Sequence, residues 1–198
     1  MANNNEKSIE SLIKEFNDNN LKIIEADWVE LNKKRNGFVN DYSINAIKNL
    51  TKEDYCVGLG NENRSFCYRL ENELKPLGGI HGSTSYKFGL YYDKDEYKTG
   101  NKTIQFVKHW GQNEDVVFES IKKNIIELII AGEVDNYTVI NKNKISPMFK
   151  GKILATYYPE KYLCIFSEEH LDYFLEYLDI KTEKAVNIIS KQNALIDW

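Results

Sequence analysis

Cysteine is scarce and odd in number. Cys56, Cys67 and Cys164 stand far apart in apolar or helical surroundings, which excludes a disulfide framework and fits reduced thiols. Histidine is equally thin: His81, His109 and His170 stand alone, and with no CxxC or HxxxH pair the chain has no zinc spacing, so no metal site is expected. No run approaches the ~18 apolar residues of a membrane span, and MANNNEKSIE lacks the apolar centre of a signal peptide. A cytoplasmic protein without a membrane partner is the simplest expectation.

Motifs for nucleotide chemistry are missing too. GxxxxGK[ST], which wraps phosphates and neutralises them with a lysine, does not occur, and the doublet Gly58-Leu59-Gly60 is followed by Asn63 where a dinucleotide fingerprint needs glycine. Glu73-Leu74-Lys75 and Glu96-Tyr97-Lys98 match the short half of a restriction-type nuclease site, but at 28% charged residues such triplets arise by chance. Cys67 could meet His81 as a nucleophile pair, yet Cys67 flanks a helical core stripe, where a buried structural thiol is the simpler reading. No catalytic constellation and no cofactor follow, and the chain reads as a binding protein rather than an enzyme.

What is present fits a globular domain. With 198 residues, of which 42% are hydrophobic, one core of substantial size can be buried. An N-terminal helical segment over 1–50 is expected to pack as one unit with an α+β recognition domain over 51–198. The expected fold class is α+β, mainly helical, with a small β-hairpin or antiparallel sheet.

Spacing places the elements. Ile9, Leu12, Ile13 and Phe16 predict a first helix ending near the NDNN turn; Trp28 and Leu31 begin a short second one, stopped at Asn36-Gly37, and a third starts near Ser43. Phe66, Leu70, Leu74 and Leu77 predict a helix over 63–77, with Asn63 as its cap and Pro76 in its last turn. Tyr86–Asp93 and Lys102–Trp110 alternate as strands and pair as a hairpin with a long polar tip. Asn113 caps the strongest helix, striped by Val117, Ile121, Ile125, Leu128 and Ile129. A short helix is expected at 153–158, a buried strand or extended piece at Tyr162–Phe166, a Ser167-capped helix burying Leu171, Phe174, Leu175 and Leu178, and a last helix from Thr182.

Charge narrows the function. A net charge of −4 opposes a general nucleic-acid coat, but its distribution is uneven: residues 113–198 carry 14 acids against 10 bases. Tyr97–Gln112 escapes this trend, with Lys98, Lys102, Lys108 and His109, no acid, and the rings of Tyr97, Phe106 and Trp110; Asn141–Lys152 has four lysines and no acid. Upstream, Gly78, Gly79 and Gly82 precede Ser83, Thr84 and Ser85, a composition suited to holding an anion and equally to a tight connection. The candidate DNA contacts are therefore Ser83, Thr84, Ser85, Lys87, Lys98, Lys102, Lys108 and Trp110.

Two segments, NRSFCYRLENELKPLGGIHGSTSYKFGLYY and FKGKILATYYPEKYLCIFSEEHLDYFLEYL, resemble the region ahead of the motor in bacterial McrB-like AAA+ GTPases of modification-dependent restriction. The likeness lies at Leu77–Ile80, Lys87–Tyr91, Lys152–Ser167 and His170–Leu175, within a span of roughly residues 50 to 198; the glycine loop departs from the family's GGS form at His81 and Thr84. The resemblance implies a DNA-recognition module for modified DNA in antiviral defence, with a GTPase motor and a separate McrC-like nuclease as partners. The alternative is a protein-interaction or scaffold module of a bacterial defence system with no DNA affinity of its own.

Overall fold

The computed structural model describes residues 9–58, 64–94, 102–181 and 187–198, with backbone alone for most of 9–26 and for Lys94. The chain folds as a mainly helical α+β domain, built around α6 (Glu114–Glu133). Asn113 starts this helix by accepting from the Val116 N–H at 3.0 Å, Glu114 and Asp115 sit in its positive first turn, and Lys52, at the start of α3 (Lys52–Tyr55), clamps both carboxylates at 2.6 Å. Its face of Val117, Phe118, Ile121, Ile125, Leu128 and Ile129 is buried. Around it pack α2 (Ile44–Lys48), α7 (Tyr137–Lys142), α8 (Pro147–Tyr157) and a two-stranded antiparallel ribbon. A cluster of tilted, edge-on and stacked rings, Phe38, Tyr42, Tyr55, Phe66, Phe88, Phe118 and Phe149, fills the space between them.

The expected break in the first helix is absent, because α1 (Ile9–Asp41) runs on without interruption. Asn and Gly are weak stop signals, costing about 1 kcal/mol at most, and burial of Phe38 beyond Gly37 sustains the helix. By contrast, the single helix expected over 63–77 is three pieces: α4 (Phe66–Tyr68), a π-turn Arg69–Glu73 in which the Leu74 N–H reaches the Arg69 carbonyl at 2.9 Å, and a 3-10 turn Lys75–Leu77. Ser65 is the cap, its hydroxyl oxygen accepting from the Tyr68 N–H; Asn63 lies outside the described residues. The cause of the winding change is downstream. Lys152, on α8 and fully buried, sends its ammonium to the carbonyls of Leu74, Leu77 and Gly78 at 2.5, 2.9 and 2.8 Å, taking acceptors that a regular helix would use.

Two further expectations are corrected by the same logic. Tyr162–Phe166 is not a strand: its backbone carbonyls at Leu163 and Ile165 accept from the Gln192 amide at 3.1 and 2.6 Å, and its Cys164 carbonyl lies against Gly78, whose φ of +89° and lack of Cβ permit the contact. Phe174, expected inside with Leu171 and Leu175, is exposed on α9 (Glu168–Tyr177). Ser167 does cap α9, accepting from the His170 N–H at 3.4 Å. The last helix, α10, spans Ile188–Ile196 behind an Asn187 cap, and residues 182–186 lie outside the description. Among the described residues no helix is long and apolar enough to cross a membrane.

Candidate nucleic-acid interface

The ribbon begins later than alternation suggested. Residues Thr84–Phe88 form a short helix, α5, because the Ser83 hydroxyl caps it by accepting from the Tyr86 N–H at 3.3 Å and Gly89 ends it at φ +73°. Only then does β1 (Leu90–Lys94) pair with β2 (Lys102–Phe106), Leu90 facing Phe106 and Tyr92 facing Ile104. A further bond from the Val107 N–H to the Gly89 carbonyl at 2.9 Å carries the pairing to the ribbon base. There the chain leaves the strand as a 3-10 turn, Lys108–Trp110, rather than continuing it. Trp110 seats its indole on Gly89: a Cβ there would stand 2.8 Å from the indole nitrogen.

The predicted contact residues divide accordingly. Ser83 and Ser85 share a hydroxyl bond of 3.1 Å at the start of α5, so Ser83, Thr84 and Ser85 belong to a helix turn and not to an open anion loop. Lys87 is buried and ion-paired with Glu71, which neutralises its charge within the fold. Lys102 stands half-buried on β2 opposite Lys94, and Lys98 lies outside the described residues. Lys108 is exposed at the ribbon base, and Trp110 is half-buried beside it.

What the structure brings together is a cleft of roughly 540 Å³ between this base and the turn entering α8. Ser85, Tyr86, Val107, His109 and Trp110 form one wall, and Lys144, Ile145, Ser146 and Pro147 the other. His109 and Trp110 lie ring to ring at 5.2 Å, while Tyr86 is exposed at the rim. The Ser146 hydroxyl donates to the Lys87 carbonyl at 3.5 Å, joining the two walls. Among the described residues no carboxylate lines the cleft. Lys144, Ser146 and Pro147 were not among the predicted contacts; the acid-free lysine run 141–152 was their signal. The structure splits that run, leaving Lys142 and Lys144 in solvent, whereas Lys150 is buried on the carbonyls of Ile140 and Asn143 and Lys152 on those of the 74–78 segment.

A larger cavity, about 730 Å³, is lined by Asp41, Tyr42, Asp54, Arg64, Arg69 and Glu73, and three of its charges are tied to one another. Arg69 bonds Asp41 at 2.7 Å and Glu73 at 2.6 Å, with its guanidinium over the Tyr42 ring at 5.5 Å. Glu73 is thereby engaged structurally, and Glu96 of the second nuclease-like triplet lies outside the described residues. Burial pushes the Cys67 thiol well up, which keeps it protonated and unreactive, while His81 is exposed. Among the described residues no three metal-binding side chains converge.

Comparison with known proteins finds no match: no family model, no curated protein and no solved structure aligns with this chain.

Proposed function

We propose that the chain is a DNA-recognition module that holds its target at the cleft between the ribbon base and the turn at residues 144–147. The observation that carries the reading is the composition of that cleft. It gathers the rings of Tyr86, His109 and Trp110 with the charge of Lys144, beside exposed Lys108, and has no carboxylate among its described lining residues in a chain whose net charge is −4. Cations gathered without acids attract phosphate, and flat faces supply stacking surfaces for bases or sugars.

The resemblance of the 77–91 and 152–175 segments to McrB-like proteins extends the proposal. Modified DNA becomes the target, in bacterial antiviral restriction, and an AAA+ GTPase motor with a McrC-like nuclease become the partners. No base-contacting residue is assigned by that likeness.

Titration of a labelled duplex at two salt concentrations tests the reading. The double variant Lys108→Glu with Lys144→Glu should lose about tenfold or more in affinity and flatten the salt slope by about 1–2. Unchanged affinity would remove the cleft from the interface. Absence of DNA binding by the wild-type chain, with stoichiometric co-purification of a partner, would favour the protein-interaction reading instead.

A further inference from the structure

α9 is apolar on two faces. Leu171 and Leu175 are buried against the body, yet Tyr173, Phe174 and Tyr177 are 61%, 41% and 42% exposed. Together with exposed His170 they fall at i, i+3, i+4 and i+7, the spacing of a complete helical stripe. The rings are ordered against one another, Tyr173 stacking on Tyr177 at 6.1 Å and 16° and meeting Phe174 edge-on at 5.5 Å and 76°. A rigid, half-polar aromatic surface of this kind loses little side-chain freedom on contact. Large apolar groups gathered on one exposed helix and bordered by polar groups mark an interaction surface.

The border identifies the partner's chemistry. At about 100° per residue, Glu169, Asp172 and Glu176 form a stripe roughly 120° around the helix from the aromatic one. Lys191 on α10 bonds Glu168 and Asp172 at 2.8 and 2.7 Å, matching the acids nearest the body. Glu169 and Glu176 form no ion pair among the described residues, and α9 itself contains no lysine or arginine. This surface therefore repels a polyanion or an anionic bilayer and complements a basic one.

We propose that the α9 stripe is a docking surface for a protein partner that presents an apolar helix face flanked by lysine or arginine. Tyr173, Phe174 and Tyr177 supply the buried contact, and Glu169 and Glu176 orient the partner through its bases. This surface shares no residue with the lining of the cleft.

The test uses the full chain and a labelled synthetic amphipathic peptide of about five helical turns, leucine on one face and lysine on the other. Saturable one-to-one binding is expected. The triple variant Tyr173→Ala, Phe174→Ala, Tyr177→Ala, which removes only exposed rings and should keep the wild-type circular dichroism and Tm, should bind about tenfold more weakly or worse. Glu169→Gln with Glu176→Gln should weaken binding at low salt and abolish its salt dependence. The same peptide with glutamate replacing lysine should not bind. The proposal is overturned if the triple variant binds as tightly as the wild type, or if the glutamate peptide binds equally well. It is overturned equally if sedimentation shows the aromatic residues needed for self-association, if anionic vesicles compete for the stripe, or if a short duplex displaces the peptide.

Discussion

Replacing Lys152 by methionine isolates the device that shapes the 66–82 segment. Methionine keeps the stem's length and apolar packing and removes the ammonium, leaving the carbonyls of Leu74, Leu77 and Gly78 without their donor. The Leu74 carbonyl keeps the Leu77 N–H at 3.0 Å, so two carbonyls lose their donor outright, at about 1–3 kcal/mol each, and the gross penalty is roughly 2–6 kcal/mol. Against it stands the relief from burying a cation. Burial lowers the Lys152 pKa from its ordinary 10.5 to about 8, which at roughly 1.4 kcal/mol per tenfold is about 3 kcal/mol. The net loss is about 1 kcal/mol in the middle of the range. For a chain of this length that lowers Tm by about 2–4 °C in a thermal scan at neutral pH.

The same residue fixes a sign in the pH dependence. Below pH 8 Lys152 is charged in both folded and unfolded chains, whereas between about 8 and 10.5 the unfolded chain binds the extra proton, so this residue's contribution to stability rises with pH. Other groups move the opposite way: the Cys56 thiol is pushed up to about 12 by burial, and so is the Tyr42 hydroxyl, so their contributions fall above pH 9 and 10. The difference between wild type and Lys152→Met removes that background. It should widen by about 2–3 kcal/mol from pH 7.5 to 10 in denaturant titrations. An unchanged or higher Tm in the variant, with a pH-independent difference, would refute the assignment of Lys152 as donor to these three carbonyls.

Gly89→Ala should cost about 2–4 kcal/mol, because φ +73° strains any L side chain and the new methyl meets the Trp110 indole; denaturant unfolding checks the loss, and increased acrylamide quenching would report the displaced ring. Asn113→Ala removes the α6 cap and should cost about 1 kcal/mol, seen as a Tm lowered by about 2–4 °C with the circular dichroism unchanged at low temperature.

The sequence made α6 legible because a cap at Asn113 and a stripe of β-branched and leucine residues agree on one helix. Agreement of independent signals is what local reading can detect. It failed where a remote side chain decides. Nothing near residues 66–77 announces that Lys152 will take their carbonyls, and nothing near 162–166 shows that Gln192 will satisfy that backbone in place of a neighbouring strand. Phe174 was misplaced for another reason: helical spacing identifies an apolar stripe without saying which of two stripes faces inward. At the candidate interface, Lys108 and Trp110 could be read from one acid-free run. Their meeting with Lys144 and Pro147 depends on how α8 packs against α5, which spacing does not encode.

Trp110 offers the most direct measurement of the DNA-recognition proposal. Trp28 and Trp198 are 51% and 65% exposed, so replacing both by phenylalanine leaves the core intact and makes Trp110 the sole indole. Titrating this variant with duplex DNA should give a saturable change in indole fluorescence whose midpoint moves to higher DNA concentration as salt is raised. An indole signal that stays flat while anisotropy shows the duplex bound would place the DNA elsewhere, and a flat signal with no binding at low salt would contradict the account.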